Sequence, residues 1–157
     1  MREIEVFHDS GLIDVSVIES FETKIGYIFP ENYKYLLSKH NELYPEMDFF
    51  KFFNEIDNKN DCRDVSFLGY GSQVTEASRI ERAQDHDVYG RDGIVVIGRC
   101  ANGDYICFDY RDNLITNNPP VAVMFHDFFD GDDKMFICPV ANNFEQFIDL
   151  LYKNDED

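Results

Sequence analysis

The chain has 157 residues, 44% of them hydrophobic, and a formal net charge of −17. The length predicts one domain, and the apolar fraction excludes an intrinsically disordered chain. A field of this sign repels phosphate backbones and accelerates association with basic partners, so we expect no direct binding of nucleic acid. The alternative is that the acidity serves solubility alone.

No apolar run approaches the ~18 residues of a membrane-spanning helix, so no membrane partner is expected. The first residues, MREIEVFHDSG, lack the apolar core of a secretory signal, and a cytoplasmic protein is expected. The cysteines are irregularly spaced and form no CxxC pair. This spacing predicts reduced thiols rather than a zinc site at Cys62, Cys100, Cys107 and Cys138.

The first predicted elements are two short helices. Ser16 and Glu19 have the spacing of a capping box, and Gly26 is placed to end the first helix in the left-handed conformation. Pro30 suits the first position of a second helix. The buried stripe of that helix would be Tyr33, Leu36, Leu37 and His40. The two helices are expected to pack as a pair.

The middle of the chain is less regular. Phe49–Phe53 fits either a strand or an irregular loop, whereas Asp57–Asp64 has the composition of an exposed turn. Val65–Tyr70 predicts a strand that runs into a glycine-rich break. Thr75–Asp87 has helical composition with a weakly apolar stripe, which predicts a helix at the surface.

Two apolar segments, Ile94–Gly98 and Ile106–Tyr110, flank Asn102-Gly103, a strong signal for a type I′ hairpin turn. A two-residue loop would pair Ile97 with Phe108, and a longer loop would shift the register by one. Both faces of the hairpin would be mostly apolar. We therefore predict a central hairpin that is covered on both faces.

Pro119-Pro120 is expected to start the strand Val121–His126, and Met135–Val140 the last strand. Asn142 and Glu145 then form a capping pattern before an amphipathic C-terminal helix. Two N-terminal helices, one C-terminal helix and strands between them predict an α+β fold with a largely antiparallel central sheet. We expect a single domain over residues 1–157, with its core at about residues 14–152.

Motifs that would indicate catalysis or ligand binding are not found in the sequence. The acidic stretch Asp127–Asp133 resembles a calcium loop, but Ile137 stands where such a loop requires a glutamate. The chain contains neither a G-x-S-x-G nucleophile motif nor a P-loop. The scattered histidines are His8, His40, His86 and His126. We therefore expect no enzyme, and no catalytic, metal or cofactor site.

Several short motifs nevertheless occur in the same order as in a known protein family. Ile25, Gly26, Pro30, Tyr33 and Leu36 match the pattern "Ig..LP.dYk.fL". They are followed by Phe67-Leu68-Gly69, Gly103-Asp104, Pro119-Pro120-Val121 and a closing helix from Ala141 to Leu151. In this order the segments resemble the SUKH superfamily, also called the Smi/Knr-like family. Phe29 and Glu42-Leu43 depart from the pattern, where the family usually has leucine and Gly-Gly.

The resemblance implies a SUKH-type α+β domain without catalytic residues, in which the hairpin at residues 94–110 is scaffold. Bacterial members are mostly immunity proteins that bind and neutralise a cognate toxin, often a nuclease. Fungal members are regulators of cell-wall synthesis that act as interaction hubs. The sequence thus predicts an immunity protein that occludes a basic toxin stoichiometrically. The alternative is a regulatory adaptor without a toxin.

Exposed acidic loops are the best candidates for contact with such a partner. A basic protein surface would be steered towards them, although each residue taken alone could be ordinary solvated surface. The candidate partner-binding residues are Glu46, Asp48, Asp85, Asp87, Asp130, Asp132 and Asp133.

Overall fold

The structure is a computed structural model that describes residues 1–85 and 92–154. Within these residues the α-helices are α1 (Val15–Ile25), α2 (Glu31–Lys39) and α3 (Phe144–Leu150), and two 3-10 helices span Glu76–Ser78 and Ile80–Gln84. The strands are β1 (Val6–His8), β2 (Tyr44–Pro45), β3 (Phe49–Asn54), β4 (Lys59–Asp64), β5 (Ser66–Phe67), β6 (Ile94–Arg99), β7 (Tyr105–Asp109), β8 (Val121–Phe129) and β9 (Met135–Ala141).

The main sheet has five antiparallel strands in the order β5-β6-β7-β8-β9, and β1–β2 and β3–β4 form two smaller antiparallel pairs. The predicted α+β fold is confirmed. Aromatic rings join the helices to the sheet: the ring of Phe108 in β7 contacts Phe29, Tyr33 in α2 and Phe144 in α3, with centroid distances of 5.1–6.1 Å. The core therefore lies between the sheet and its helices.

The central hairpin is buried on both faces, as predicted, but its predicted register is wrong. The loop has three residues, because the Cys100 N–H donates to Asp104 O at 2.8 Å and Arg99 pairs with Tyr105. Gly103 takes the left-handed conformation, with φ +101°. Ile97 is then an extra residue in β6, so Val95 rather than Ile97 stands opposite Phe108.

The predicted starts of α1, α2 and α3 are each displaced along the chain by one or two residues. The side chain of Asp14, not Ser16, caps α1 by accepting from the Ser16 N–H at 2.9 Å, while the left-handed Gly26 ends the helix as predicted. Pro30 is the N-cap of α2 rather than its first residue. Asn143, not Asn142, caps α3 by accepting from the Gln146 N–H. The sequence motif therefore located each helix but missed its terminal residue by one or two positions.

Residues 42–64 contain strands. Phe49–Asn54 is strand β3, and Lys59–Asp64, predicted as part of an exposed turn, pairs with it along its whole length. The polar strand is held because the apolar face of the pair comes from β3, where Phe50 and Phe52 are buried. Both outward main-chain groups of Cys62 in β4 are occupied by neighbouring side chains: its N–H donates to Asp61 and its C=O accepts from Arg63.

Two further predicted elements are longer or more regular than the elements in the structure. The strand predicted over Val65–Tyr70 is limited to Ser66–Phe67. The surface helix predicted over Thr75–Asp87 is two 3-10 helices as far as Asp85, and its last two residues lie outside the described residues. Gln84 ties the end of this segment to the sheet, because its side-chain amide pairs with both main-chain groups of Val96 in β6.

A buried asparagine ties the end of α2 to the segment that follows β5. The Asn41 side chain accepts from the Tyr70 N–H at 2.8 Å and donates to the Tyr70 C=O at 2.7 Å. The Tyr70 hydroxyl lies 2.8 Å from the Tyr33 hydroxyl of α2. Gly69 permits this close approach, because a Cβ there would lie 2.7 Å from Val74 Cγ2 and 2.9 Å from Glu42 Cβ.

Helices α1 and α2 are joined by an ion pair that the sequence did not indicate. Lys34 of α2 is buried and its Nζ lies 3.2 Å from Glu22 Oε1 of α1 and 3.1 Å from Glu31 Oε1. The other oxygen of Glu22 accepts from the Phe29 N–H at 2.6 Å. The predicted pairing of the two helices is thus fixed by a hydrogen-bonded buried pair, whose disruption would leave an uncompensated charge.

We expect Gly69→Ala to lower the free energy of unfolding by about 2 kcal/mol, because the added methyl group overpacks a buried site. Gly131→Ala is the matched control, since a Cβ at Gly131 meets nothing within 4 Å. Urea unfolding of both variants measures the difference. Equal midpoints would show that the Gly69 site relaxes around the methyl group.

Candidate functional site

The candidate site is the end of the main sheet at which β6 turns into β7 and β8 extends beyond β7. We call this end of the sheet the turn end. Its loops surround Asp104, the residue that immediately precedes β7. Carboxylates outnumber cations in this region. Its acidic residues include Glu46, Asp48, Asp61, Asp64, Asp104, Asp127, Asp130, Asp132 and Asp133.

Asp104 is the buried centre of the turn end, with its side chain 1% exposed. Its Oδ1 accepts from the main-chain N–H of His126 at 3.0 Å and lies 2.5 Å from His126 Nδ1. Its Oδ2 accepts from Arg63 Nε at 3.0 Å and from Asn102 Nδ2 at 3.1 Å. One carboxylate thus joins β4, the β6–β7 loop and β8.

The neighbours of Asp104 are themselves held in place. Arg63 also contacts Asp61 Oδ2 at 2.9 Å, and its guanidinium lies over the rings of Phe52 and Phe125 at 5.4 and 5.8 Å. The His126 ring lies against Gly103, where a Cβ would come within 3.3 Å of three ring atoms. Gly103 is therefore required both for its positive φ and for the approach of this ring.

Burial by itself raises the pKa of Asp104, but the hydrogen bonds from His126, Arg63 and Asn102 outweigh it and hold that pKa below its ordinary value. Burial likewise lowers the pKa of Arg63, and the contacts with Asp104 and Asp61 raise it overall. The pair is therefore charged at neutral pH. A carboxylate that already accepts four hydrogen bonds has no free lone pair directed at a substrate.

The Asp104–His126 pair has the contact of a catalytic dyad, but the other ring nitrogen has no hydroxyl or thiol partner among the described residues. Asp104, His126 and Asp127 also offer three atoms within 4.8 Å of one another, close enough for a metal ion. The Arg63 guanidinium opposes a cation there, because it already neutralises Asp104 at 3.0 Å. This arrangement favours binding through its surface over chemistry at its centre.

Glu46 and Asp48 are brought together in one groove of about 700 Å³ beside the β6–β7 loop. Glu46 Oε1 contacts Lys153 Nζ at 3.1 Å, and the main-chain carbonyl of Asp48 accepts from Val65. Asp64 also lines the groove and accepts from the Ala101 N–H at 2.9 Å. The groove is open to solvent, and its three carboxylates face two cations, Arg99 and Lys153, that also line it.

Three other predicted residues form the tip of the β8–β9 hairpin. Asp130 directs its carboxylate into its own turn, where Oδ1 accepts from the N–H groups of Asp132 and Lys134 at 2.9 and 3.1 Å. Asp132 and Asp133 are exposed, and Asp133 has φ +63°. Asp130 therefore shapes the turn, and Asp132 and Asp133 present their carboxylates to solvent.

The last two predicted residues belong to another segment. Asp85 is exposed and follows the second 3-10 helix, whose last residue, Gln84, is hydrogen-bonded to Val96 of β6. Asp87 lies outside the described residues. The structure thus places Glu46 and Asp48 in one loop at the turn end, Asp130, Asp132 and Asp133 in another, and Asp85 apart from both.

Two exposed aromatic residues were not predicted: Phe128 and Phe129 are 41% and 49% exposed at the end of β8. The sequence FFDGDD indicates this exposure, because two adjacent phenylalanines directly before an acidic turn are seldom both buried in the core. The four cysteines are unpaired, as predicted. Cys62 is exposed, whereas burial raises the pKa of the Cys100 and Cys107 thiols and so disfavours the reactive thiolate.

The family resemblance seen in the sequence is confirmed by a match to a family model. The model of the SMI1 / KNR4 family (SUKH-1) matches residues 13–150. The chain belongs to this family. Its members are commonly immunity or regulatory proteins, generally without catalytic activity. A comparison with curated proteins gave no match. Within the described parts of this SUKH-1 chain, every helix is too short or too polar to cross a bilayer.

We expect Asp104→Asn to lower the free energy of unfolding at neutral pH by about 3 kcal/mol, because Arg63 loses its buried counterion. The lowered pKa of Asp104 adds stability that is complete above the unfolded-state value of about 3.9 and is lost as pH falls through the native value. The gap between variant and wild type should therefore close in acid.

Urea unfolding at a series of pH values from 7 to below 3 measures this gap. Asp112→Asn is the matched control, since Asp112 is exposed in the β7–β8 loop and its loss removes the same charge. A gap that stayed constant down to the lowest pH would show that the Asp104 charge contributes nothing to the wild-type acid dependence.

Proposed function

We propose that the chain is an immunity protein that binds a cognate toxin domain and neutralises it by occlusion. The observation that carries the proposal is the match to the SUKH-1 family over residues 13–150, in a chain of net charge −17. Toxins that act on nucleic acids carry basic surfaces, because they must bind phosphate. An acidic partner is steered to such a surface and can cover it.

The geometry of the turn end supports a binding role. Its buried centre is satisfied by its own hydrogen bonds, while Glu46, Asp48, Asp132 and Asp133 line an open groove or an exposed tip. We propose these residues, with Asp85 and Asp87 as more distant contributors, as the contacts to a basic partner. The whole chain would act as one binding unit, in the cytoplasm where the toxin must be stopped.

The test is co-expression of the chain with the C-terminal domain of the protein encoded in the neighbouring reading frame. Survival of cells that otherwise die, together with co-purification of the two proteins in equal amounts, is the expected result. Binding without any toxicity of the neighbour would instead favour a regulatory adaptor. Neither rescue nor co-purification would overturn the proposal.

Association should depend on salt and on the position of charge. We expect the association rate to fall as ionic strength rises from ~0.05 to ~0.5 M, because the Debye length shortens. Asp132→Lys should reduce the low-salt rate by about threefold or more, since like charges then meet at the interface. Surface plasmon resonance with the toxin domain immobilised measures both effects.

Asp112→Lys is the control for total charge, because it makes the same change in the loop that leaves the opposite end of β7. Its rate should stay closer to that of the wild type. Equal losses for both variants would show that net charge, not the turn end, steers the complex. A rate independent of salt would remove the electrostatic part of the proposal.

A further inference from the structure

The β8–β9 hairpin projects beyond the rest of the main sheet. Strand β7 accompanies β8 only as far as Met124, which pairs with Tyr105. Beyond that point β8 continues to Phe129, and Phe129 pairs with Met135 of β9. The register shifts between these two pairs, so that four residues of β8 stand opposite one residue of β9. On one side, Asp127 and Phe128 share a cavity with residues of the β3–β4 hairpin.

A row of aromatic rings fixes this projection to the core. Phe128 contacts Phe136 edge-on at 5.8 Å, Phe136 stacks on Phe125 at 6.0 Å, and Phe125 contacts Phe52 at 6.3 Å. The guanidinium of Arg63 lies over the last two rings. These contacts attach the hairpin to the core, and such attachment reduces the entropy lost on binding.

The exposed residues of the hairpin combine two chemistries. Phe128 and Phe129 present about half of their surface to solvent, and Asp127, Asp132 and Asp133 around them are exposed carboxylates. Single exposed apolar residues are ordinary, but adjacent phenylalanines on a rigid projection have the composition of an interface centre. Aromatic anchors surrounded by a charged rim are the usual arrangement of binding hot spots.

We propose that the β8–β9 hairpin inserts into a basic cleft of the partner, with Phe128 and Phe129 as its aromatic anchors. A hairpin end that extends past its sheet fits a cleft better than a flat surface, because both exposed rings can enter the cleft together. The carboxylates of Asp127, Asp132 and Asp133 would meet the basic side chains at its rim. This inference rests on the proposed function and assigns its contact element.

The acidic charge of the chain favours a basic protein cleft as the partner over a second copy of the chain or an anionic membrane surface. A second copy of the chain also carries −17, so the two acidic hairpins would repel each other. An anionic membrane surface would be repelled for the same reason. A basic protein cleft is attracted by the rim and supplies apolar walls for the two rings.

The experiment compares the full-length wild type with Phe128→Ala/Phe129→Ala in calorimetric titrations against the purified C-terminal domain of the neighbouring reading frame's product. We expect about 30-fold weaker binding or more, mainly through faster dissociation. Tyr35→Ala is the matched control, because Tyr35 is a 67% exposed aromatic residue on α2. Its affinity should equal that of the wild type.

Phe129→Ala alone protects the test against misfolding, since it leaves the contact between Phe128 and Phe136 in place. It should keep the wild-type urea midpoint and still lose about tenfold in affinity. A wild type that does not bind would overturn both this inference and the proposed function. A binding wild type with Phe129→Ala equal to Tyr35→Ala would overturn the hairpin assignment alone.

Size-exclusion chromatography adds one further outcome. We expect the wild type and the double variant to elute alike as monomers. A wild-type dimer that the double variant converts to monomer would assign the aromatic pair to self-association, and the cleft would then be the wrong partner.

Discussion

The turn end of the sheet depends on one buried carboxylate. Asp104 brings a negative charge into the protein, which is unfavourable unless donors replace the lost water. Arg63 and His126 supply them from positions 41 and 22 residues away along the chain. The strands that carry the loops must therefore close around Asp104, and the loops inherit positions that the carboxylate defines.

The fold separates this polar centre from an aromatic core. On the helical side, Tyr33, Phe108 and Phe144 pack edge to face and Asn41 satisfies the main chain of Tyr70. Those contacts hold the helices to the sheet without involving the acidic loops. The loops can consequently change in sequence without disturbing the packing of the core.

How much the sequence could predict depends on how local the determinants are. Gly26 and the helix stripes act within a few residues, so α1, α2, α3 and the α+β class were predicted correctly. The predicted surface helix was wrong, and His40 lies after α2 with its side chain 36% exposed rather than in the buried stripe. Strand β4 was missed because its own residues are polar. The buried apolar face of the pair comes from Phe50 and Phe52 in β3, to which β4 is hydrogen-bonded. Asp104 was taken for part of a turn and scaffold, because its burial depends on residues distant in sequence. The acidic candidate residues remain proposals, since patterns do not record which loops a partner touches.

The outer edge of β4 is blocked at one residue, which bears on whether another strand can add to it. A free strand edge is a template on which further copies can add. At Cys62 the chain occupies its own outward donor and acceptor, through Asp61 and Arg63, and so interrupts that template. A strand from another copy would therefore have to displace these two side-chain contacts before it could pair across Cys62.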